Sequence, residues 1–150
     1  MTHKLFEEIG MKGKLLIYEG RVTINDYLAG AEPTHTLNNL MPTAGRQYAL
    51  TGSLSNIDEC CLGSNGGARA ASDTDLLTNL YTAYPTDKRV VGTTRITELF
   101  IGMAEANFTI REFGIKAEGS LISTLVVSPD IIKTTAKTYT FIHVMGWGVS

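Results

Sequence analysis

The sequence predicts a mainly β protein: an antiparallel β-sandwich or barrel-like domain with one or two short helices and an N-terminal arm. Three observations predict it. From Lys88 onward helical periodicity disappears, and "RVVGTTRITELFIGM", "FTIREFGIK", "SLISTLVVS" and "TYTFIHVMGWGV" are runs of β-branched and aromatic residues. Turn-forming residues separate them, including Glu118-Gly119 and Pro129-Asp130. The chain has 150 residues, 43% of them hydrophobic, with 15 glycines and only 4 prolines, which suits one globular domain that buries a core without metal or disulfide staples. Residues 1–13 are assigned to the arm and residues 14–150 to a single sandwich domain.

Taken in order, "LFEEIG" (Leu5 to Gly10) is long enough for one helical turn that needs something to pack against. "KLLIYEGRVTI" gives two apolar runs, Leu15 to Tyr18 and Arg21 to Ile24, split by Glu19-Gly20, which predicts a tight hairpin. Residues 25–36 form a polar connection. The stretch Thr43 to Thr51, closed by Gly52, predicts a short helix. In "NIDECCLGSNGGARAASDTDLLTNLY" a strand from Ile57 to Leu62 leads through a glycine-rich loop, Gly63 to Gly67. Ser72 and Asp75 then stand at capping-box spacing, with Leu76, Leu77 and Leu80 as the buried stripe of a second helix. The segment 107–129 reads as a hairpin turning at Glu118-Gly119. In the last strand Tyr139, Phe141, His143, Met145 and Trp147 share one face, and Thr140, Ile142, Val144 and Gly146 the other. Both faces are largely apolar, so this strand is expected to be central or covered by a partner.

Lys plus Arg number 13 and Asp plus Glu 15, for a formal charge of -2, and no basic run exceeds Lys88-Arg89. A nucleic-acid partner is not expected, because phosphate binding needs a clustered basic face. No window approaches the apolar length of a membrane span, and the N-terminus has no apolar core of signal-peptide length, so the expectation is cytoplasmic synthesis and no membrane.

Reactive groups give little. "GSNGGAR" lacks the Gly-Lys-Ser/Thr ending of a P-loop, and its glycines at 63, 66 and 67 miss the dinucleotide spacing. His3, His35 and His143 are far apart and none pairs with Cys or Asp at metal-ligand spacing. Adjacent Cys60 and Cys61 point to opposite faces of a strand and are expected to be buried free thiols. No nucleophile elbow appears. The expectation is no enzyme activity, no cofactor and no metal. Arg111-Glu112, inside "TIREFGI", is the polar insertion of most interest: strand neighbours face opposite sides, so one of the two charges points inward or into a contact and needs a partner. The readings are an ion pair that fixes register or an inter-subunit contact. Arg111, Glu112, His143 and Trp147 are the candidate contact residues.

The order of these pieces resembles small structural proteins of tailed bacteriophages. The residues that carry the resemblance are Leu62-Gly63-Ser64, Ser72-Asp73-Thr74 with Leu76, Ile110 to Ile115, and Lys133 with Tyr139, Phe141 and Trp147. It spans residues 35–148 as a diffuse pattern without a catalytic motif. It implies a virion component built on a β-sandwich and repeated as a symmetric homo-oligomer, foremost a capsid decoration or cement protein. Tail, neck or fibre-associated proteins share such modules, including carbohydrate-binding fibre modules. The implied partners are other copies of the chain and other phage structural proteins, the major capsid or tail and neck proteins. In the carbohydrate-binding alternative, the loops Ser64 to Ser72 and Tyr81 to Lys88 are the candidates, with Tyr81 and Tyr84 available to stack on a sugar.

Overall fold

The computed structural model describes residues 11–38 and 57–147. Among the described residues nine strands and one short helix follow in order: β1 (Met11–Glu19), α1 (Ile24–Leu28), β2 (His35–Asn38), β3 (Ile57–Gly63), β4 (Asn79–Ala83), β5 (Asp87–Val91), β6 (Thr94–Ile101), β7 (Thr109–Ala117), β8 (Ser120–Ile132) and β9 (Tyr139–Trp147). They form two antiparallel sheets packed as a sandwich, one five-stranded in the order β2-β1-β9-β6-β5, the other four-stranded in the order β4-β3-β7-β8. The mainly β expectation is met.

The alternation of each strand explains the layers. Leu15, Ile17, Leu99, Ile101, Phe141 and Met145 from one sheet meet Leu62, Phe113, Ile115, Ile122, Leu125 and Val127 from the other in the central core. Phe113 stacks on Phe141 with ring centroids 5.8 Å apart. The opposite face of the five-stranded sheet is apolar too. Leu16, Tyr18, Ile96, Ile142 and Val144 are covered there by Ile24 of α1, with Val22, Tyr27 and Ala31 alongside. Strand β9 therefore lies between β1 and β6 with both faces covered by its own chain. The strand is central, as its two apolar faces required.

The β7–β8 hairpin forms where expected, with Ala117 opposite Ser120 and the turn residues Glu118 and Gly119 at φ 52 and 82. Both angles are positive, which is what a two-residue turn between twisted strands demands. Pro129-Asp130 does not end that hairpin arm, because β8 continues to Ile132. The run beginning at Arg89 is two strands, folded back at Gly92, where φ is 61. Strand β3 appears as predicted. The expected turns of "LFEEIG" and the expected helix Thr43 to Thr51 lie outside the described residues.

Two expectations are corrected. No hairpin splits at Glu19-Gly20: β1 runs from Met11, inside the segment assigned to the arm, to Glu19, and Thr23 then caps α1. The Thr23 hydroxyl accepts from the Asp26 amide at 3.1 Å, and the Asp26 carboxylate accepts from the Thr23 amide at 2.9 Å. This reciprocal cap is spelled "TIND" in the sequence and outcompetes a second strand. No helix follows Ser72 either; residues 64–78 are a loop whose turn at Ala70–Asp73 is closed by the Asp73 side chain on the Ala70 amide.

Buried charges fasten the connections. The Glu98 carboxylate, on the outer face of β6, accepts from the Ile24 amide at 3.0 Å and pairs with Arg21 at 3.3 Å, tying the start of α1 to the sheet. The Lys133 ammonium donates to the Met103 and Thr134 carbonyls and to Asn107 Oδ1 at 3.3, 2.9 and 2.7 Å, closing the loop between β6 and β7.

His143 is fully buried on the inner face of β9, stacked on Phe113 and hydrogen-bonded through Nε2 to the Ser123 hydroxyl at 2.9 Å. Burial holds its pKa down at about 3, against an ordinary 6.5. The folded state thus refuses a proton that the unfolded chain accepts, so stability is present above pH 6.5 and is lost as pH falls from 6.5 toward about 3. The slope from this group is about 1.4 kcal/mol per pH unit. Urea midpoints at pH 7, 5.5 and 4.5 are expected to fall more steeply for the native chain than for His143→Phe; parallel slopes would show that folded His143 takes up its proton as readily as the unfolded chain does.

Candidate functional site

The site most fully built outside the core is the end of the four-stranded sheet where β3, β4 and β7 meet. Its centre is Glu112, which the pleat of β7 aims at the outer face of the sheet while its neighbour Phe113 enters the core. The carboxylate is fully buried. One oxygen accepts from Arg69 Nη1 at 2.6 Å and the Leu77 amide at 2.9 Å; the other accepts from the Thr78 amide at 2.7 Å and the Asn65 amide at 3.2 Å. Arg69 is itself only 4% exposed and reaches the Gly67 carbonyl through Nε and Nη2. A buried carboxylate is tolerable when several donors replace its water, and these four come from both ends of the loop 64–78.

The loop can close on Glu112 because of two glycines. A Cβ at Gly63 would run into the Glu112 carboxylate and the Thr78 carbonyl, and a Cβ at Gly114 would run into Leu76 and Leu121. Leu76 therefore seats over Gly114 and is 5% exposed, the only one of the three predicted stripe leucines that is buried. Leu77 and Leu80 stand 49% and 55% exposed. Asp75 steadies the same segment, accepting from the Leu76 amide, Asn79 Nδ2 and Lys116 Nζ at 2.7, 3.2 and 3.2 Å. Donation from these groups lowers its pKa, against the opposing effect of burial.

Beyond the loop comes β4, which among the described residues is an edge strand paired only with β3. Tyr81 and Ala83 pack against the core, while Leu80 and Thr82 alternate outward and Tyr84 follows at 80% exposure. From Leu76 to Thr86 the sequence carries no charge. The surface offers backbone hydrogen-bonding groups and apolar side chains on a segment that Glu112 has fixed in place.

The four predicted contact residues are dispersed. Arg111 is at the surface, paired with Asp130 at 3.0 Å and donating to the Ser64 carbonyl, so it braces the foot of the loop. Glu112 is enclosed by the loop, and His143 lies in the sandwich interior, so neither side chain is presented to a neighbouring subunit. Trp147 ends β9 opposite Met11. Of the two readings of Arg111-Glu112, the geometry is that of two ion pairs, one buried and one exposed, and both side chains reach the foot of the loop 64–78 where a register shift separates core-facing Ile110 from Glu112. Tyr81, expected to be able to stack on a sugar, donates its hydroxyl to Glu105 at 2.7 Å and packs against the core. Tyr84 is the open one. The thiols of Cys60 and Cys61 are free and buried, and burial pushes both pKa values up, away from reactivity.

Comparison with family models, with curated proteins and with solved structures gave no match. Among the described residues no cluster of three or more His, Cys, Asp or Glu is placed to hold a metal ion, and no helix is long and apolar enough to cross a membrane.

Sequence reasoning named Glu112 and the ion pair its burial requires, but not the loop amides it holds, and it missed the β4 edge. The signal available for the edge was the absence of charge over 76–86, masked by leucine spacing that also suits a helix.

Removing the Glu112 carboxylate leaves a buried guanidinium and three amides without their acceptor. Glu112→Ala is expected to cost about 3–5 kcal/mol in denaturant unfolding, and to raise hydrogen exchange first at Asn65, Leu77 and Thr78. Arg69→Ala, which leaves the three amide bonds in place, is expected to cost less; equal losses would mean that the ion pair alone holds the loop.

Proposed function

We propose that this chain is a non-enzymatic structural component of a tailed-phage virion that assembles as a symmetric homo-oligomer on the particle, foremost as capsid decoration or cement. The alternative placement is a tail, neck or fibre-associated adaptor. The phage part of this reading rests on the sequence resemblance over residues 35–148. The contact part rests on one observation: among the described residues an uncharged, apolar sheet edge is left open on a segment that a buried carboxylate holds by hydrogen bonds. Soluble proteins ordinarily blunt such edges with charge, proline or a covering element. A rigid edge also loses little freedom when a partner docks, which favours association from a small area. Repeated around a shell, modest contacts add up through multivalency.

The particle itself provides the test. Labelling of purified virions, or density fitted at side-chain detail, is expected to find the chain spread over the head shell in many copies. A small ring at the neck or tail would select the adaptor placement, and its absence from virions would end the phage reading. The exposure of Tyr84 supports one second reading, a carbohydrate-binding fibre module in which that ring stacks on a sugar. A glycan array with no signal would remove it.

A further inference from the structure

We infer that β4 is the homo-oligomer contact, and that two copies join there edge to edge about a two-fold axis, making one continuous sheet from their four-stranded sheets. The inference deepens the contact reading above and rests on it for the identity of the partner.

Comparison of the sheet edges selects β4. Strand β5 carries Asp87, Lys88 and Arg89 in succession. Strand β8 is buried from Leu121 to Val127 apart from half-buried Val126, and its exposed end holds Pro129 and Asp130. Strand β2 has four residues, follows Pro33 closely and packs near β8. Among the described residues only β4 combines an open edge with no charge, no proline within the strand and exposed apolar side chains.

The sequence of β4 is complementary to itself. An antiparallel pair centred on Thr82 sets Thr82 against Thr82 of the partner subunit, and Leu80 against Tyr84 of the partner subunit, twice by symmetry. On the other face Tyr81 meets Ala83 of the partner subunit, large against small. Tyr84 is held extended for this by Pro85, which biases the preceding residue away from helix. Pro85 then ends the ladder, because it has no amide to donate. Aliphatic–aromatic pairs across a strand junction are among the favourable ones, and no like charges oppose each other in this register.

The test is the mass of the full-length chain by light scattering across concentration. The native chain is expected at twice its sequence mass, or a multiple of two. Thr82→Lys sets two ammonium groups face to face and is expected to abolish the dimer with unchanged circular dichroism, and to remove any concentration dependence of Tm. Tyr84→Glu, at a position open to solvent, is expected to raise the dissociation constant roughly tenfold or more by removing both Leu80–Tyr84 pairs. Val90→Lys on β5 is expected to leave the mass unchanged. A native chain that stays monomeric at its highest soluble concentration would overturn the inference. So would an oligomer that survives both β4 substitutions, or one that Val90→Lys disrupts. In those last two cases the homo-oligomer stands and only its location falls; the virion reading is decided separately by labelling of particles.

Discussion

The surface of this protein depends on one buried carboxylate. Glu112 is placed by the pleat of β7, and four donors from the loop 64–78 converge on it. The loop has no regular secondary structure, so its backbone amides cannot satisfy one another as they would in a helix or ladder. The carboxylate supplies the acceptors, and Arg69 balances its charge. With Leu77 and Thr78 pinned, the chain enters β4 in a fixed position, and the exposed edge becomes a defined shape instead of a frayed end.

The same device recurs at two other connections. Glu98 on β6 fixes the entry to α1, and Lys133 after β8 fixes the loop between β6 and β7. In each case the charged side chain, on a strand for Glu112 and Glu98 and just past one for Lys133, is buried by the connection it organises and finds backbone groups as partners. Burial of a charge is costly and only good geometry offsets it, so each of these residues specifies one loop conformation. The sandwich is thus a frame of strands, three of whose connections are fixed by internal charges.

Apolar residues on both faces of β9 invited the idea that a neighbour covers one of them. The chain covers both itself: the sandwich core takes one face, and α1 with its flanking residues takes the other. The contact proposed above accordingly lies at a sheet edge and not on a sheet face. An edge recognises through backbone hydrogen bonds and alternate side chains, so little chemistry need be visible in the sequence of a protein that works this way.

The sequence by itself determined the β class, the hairpin at Glu118-Gly119, strand β3, the central placement of β9 and the separation of Cys60 from Cys61. These follow from local rules: period-two alternation, turn residues with positive φ, and strand neighbours on opposite faces. Tertiary structure decided the segments where two local rules competed. "TIND" could extend a strand or cap a helix, and the apolar residues awaiting cover on the outer face of the five-stranded sheet favoured the helix. Leu76, Leu77 and Leu80 have helical spacing, yet Glu112, 35 residues beyond Leu77, draws the amides of that segment away from a helix and Gly114 makes room for Leu76 alone. The partner that satisfies a loop's amides lies far along the chain, and only folding brings it near.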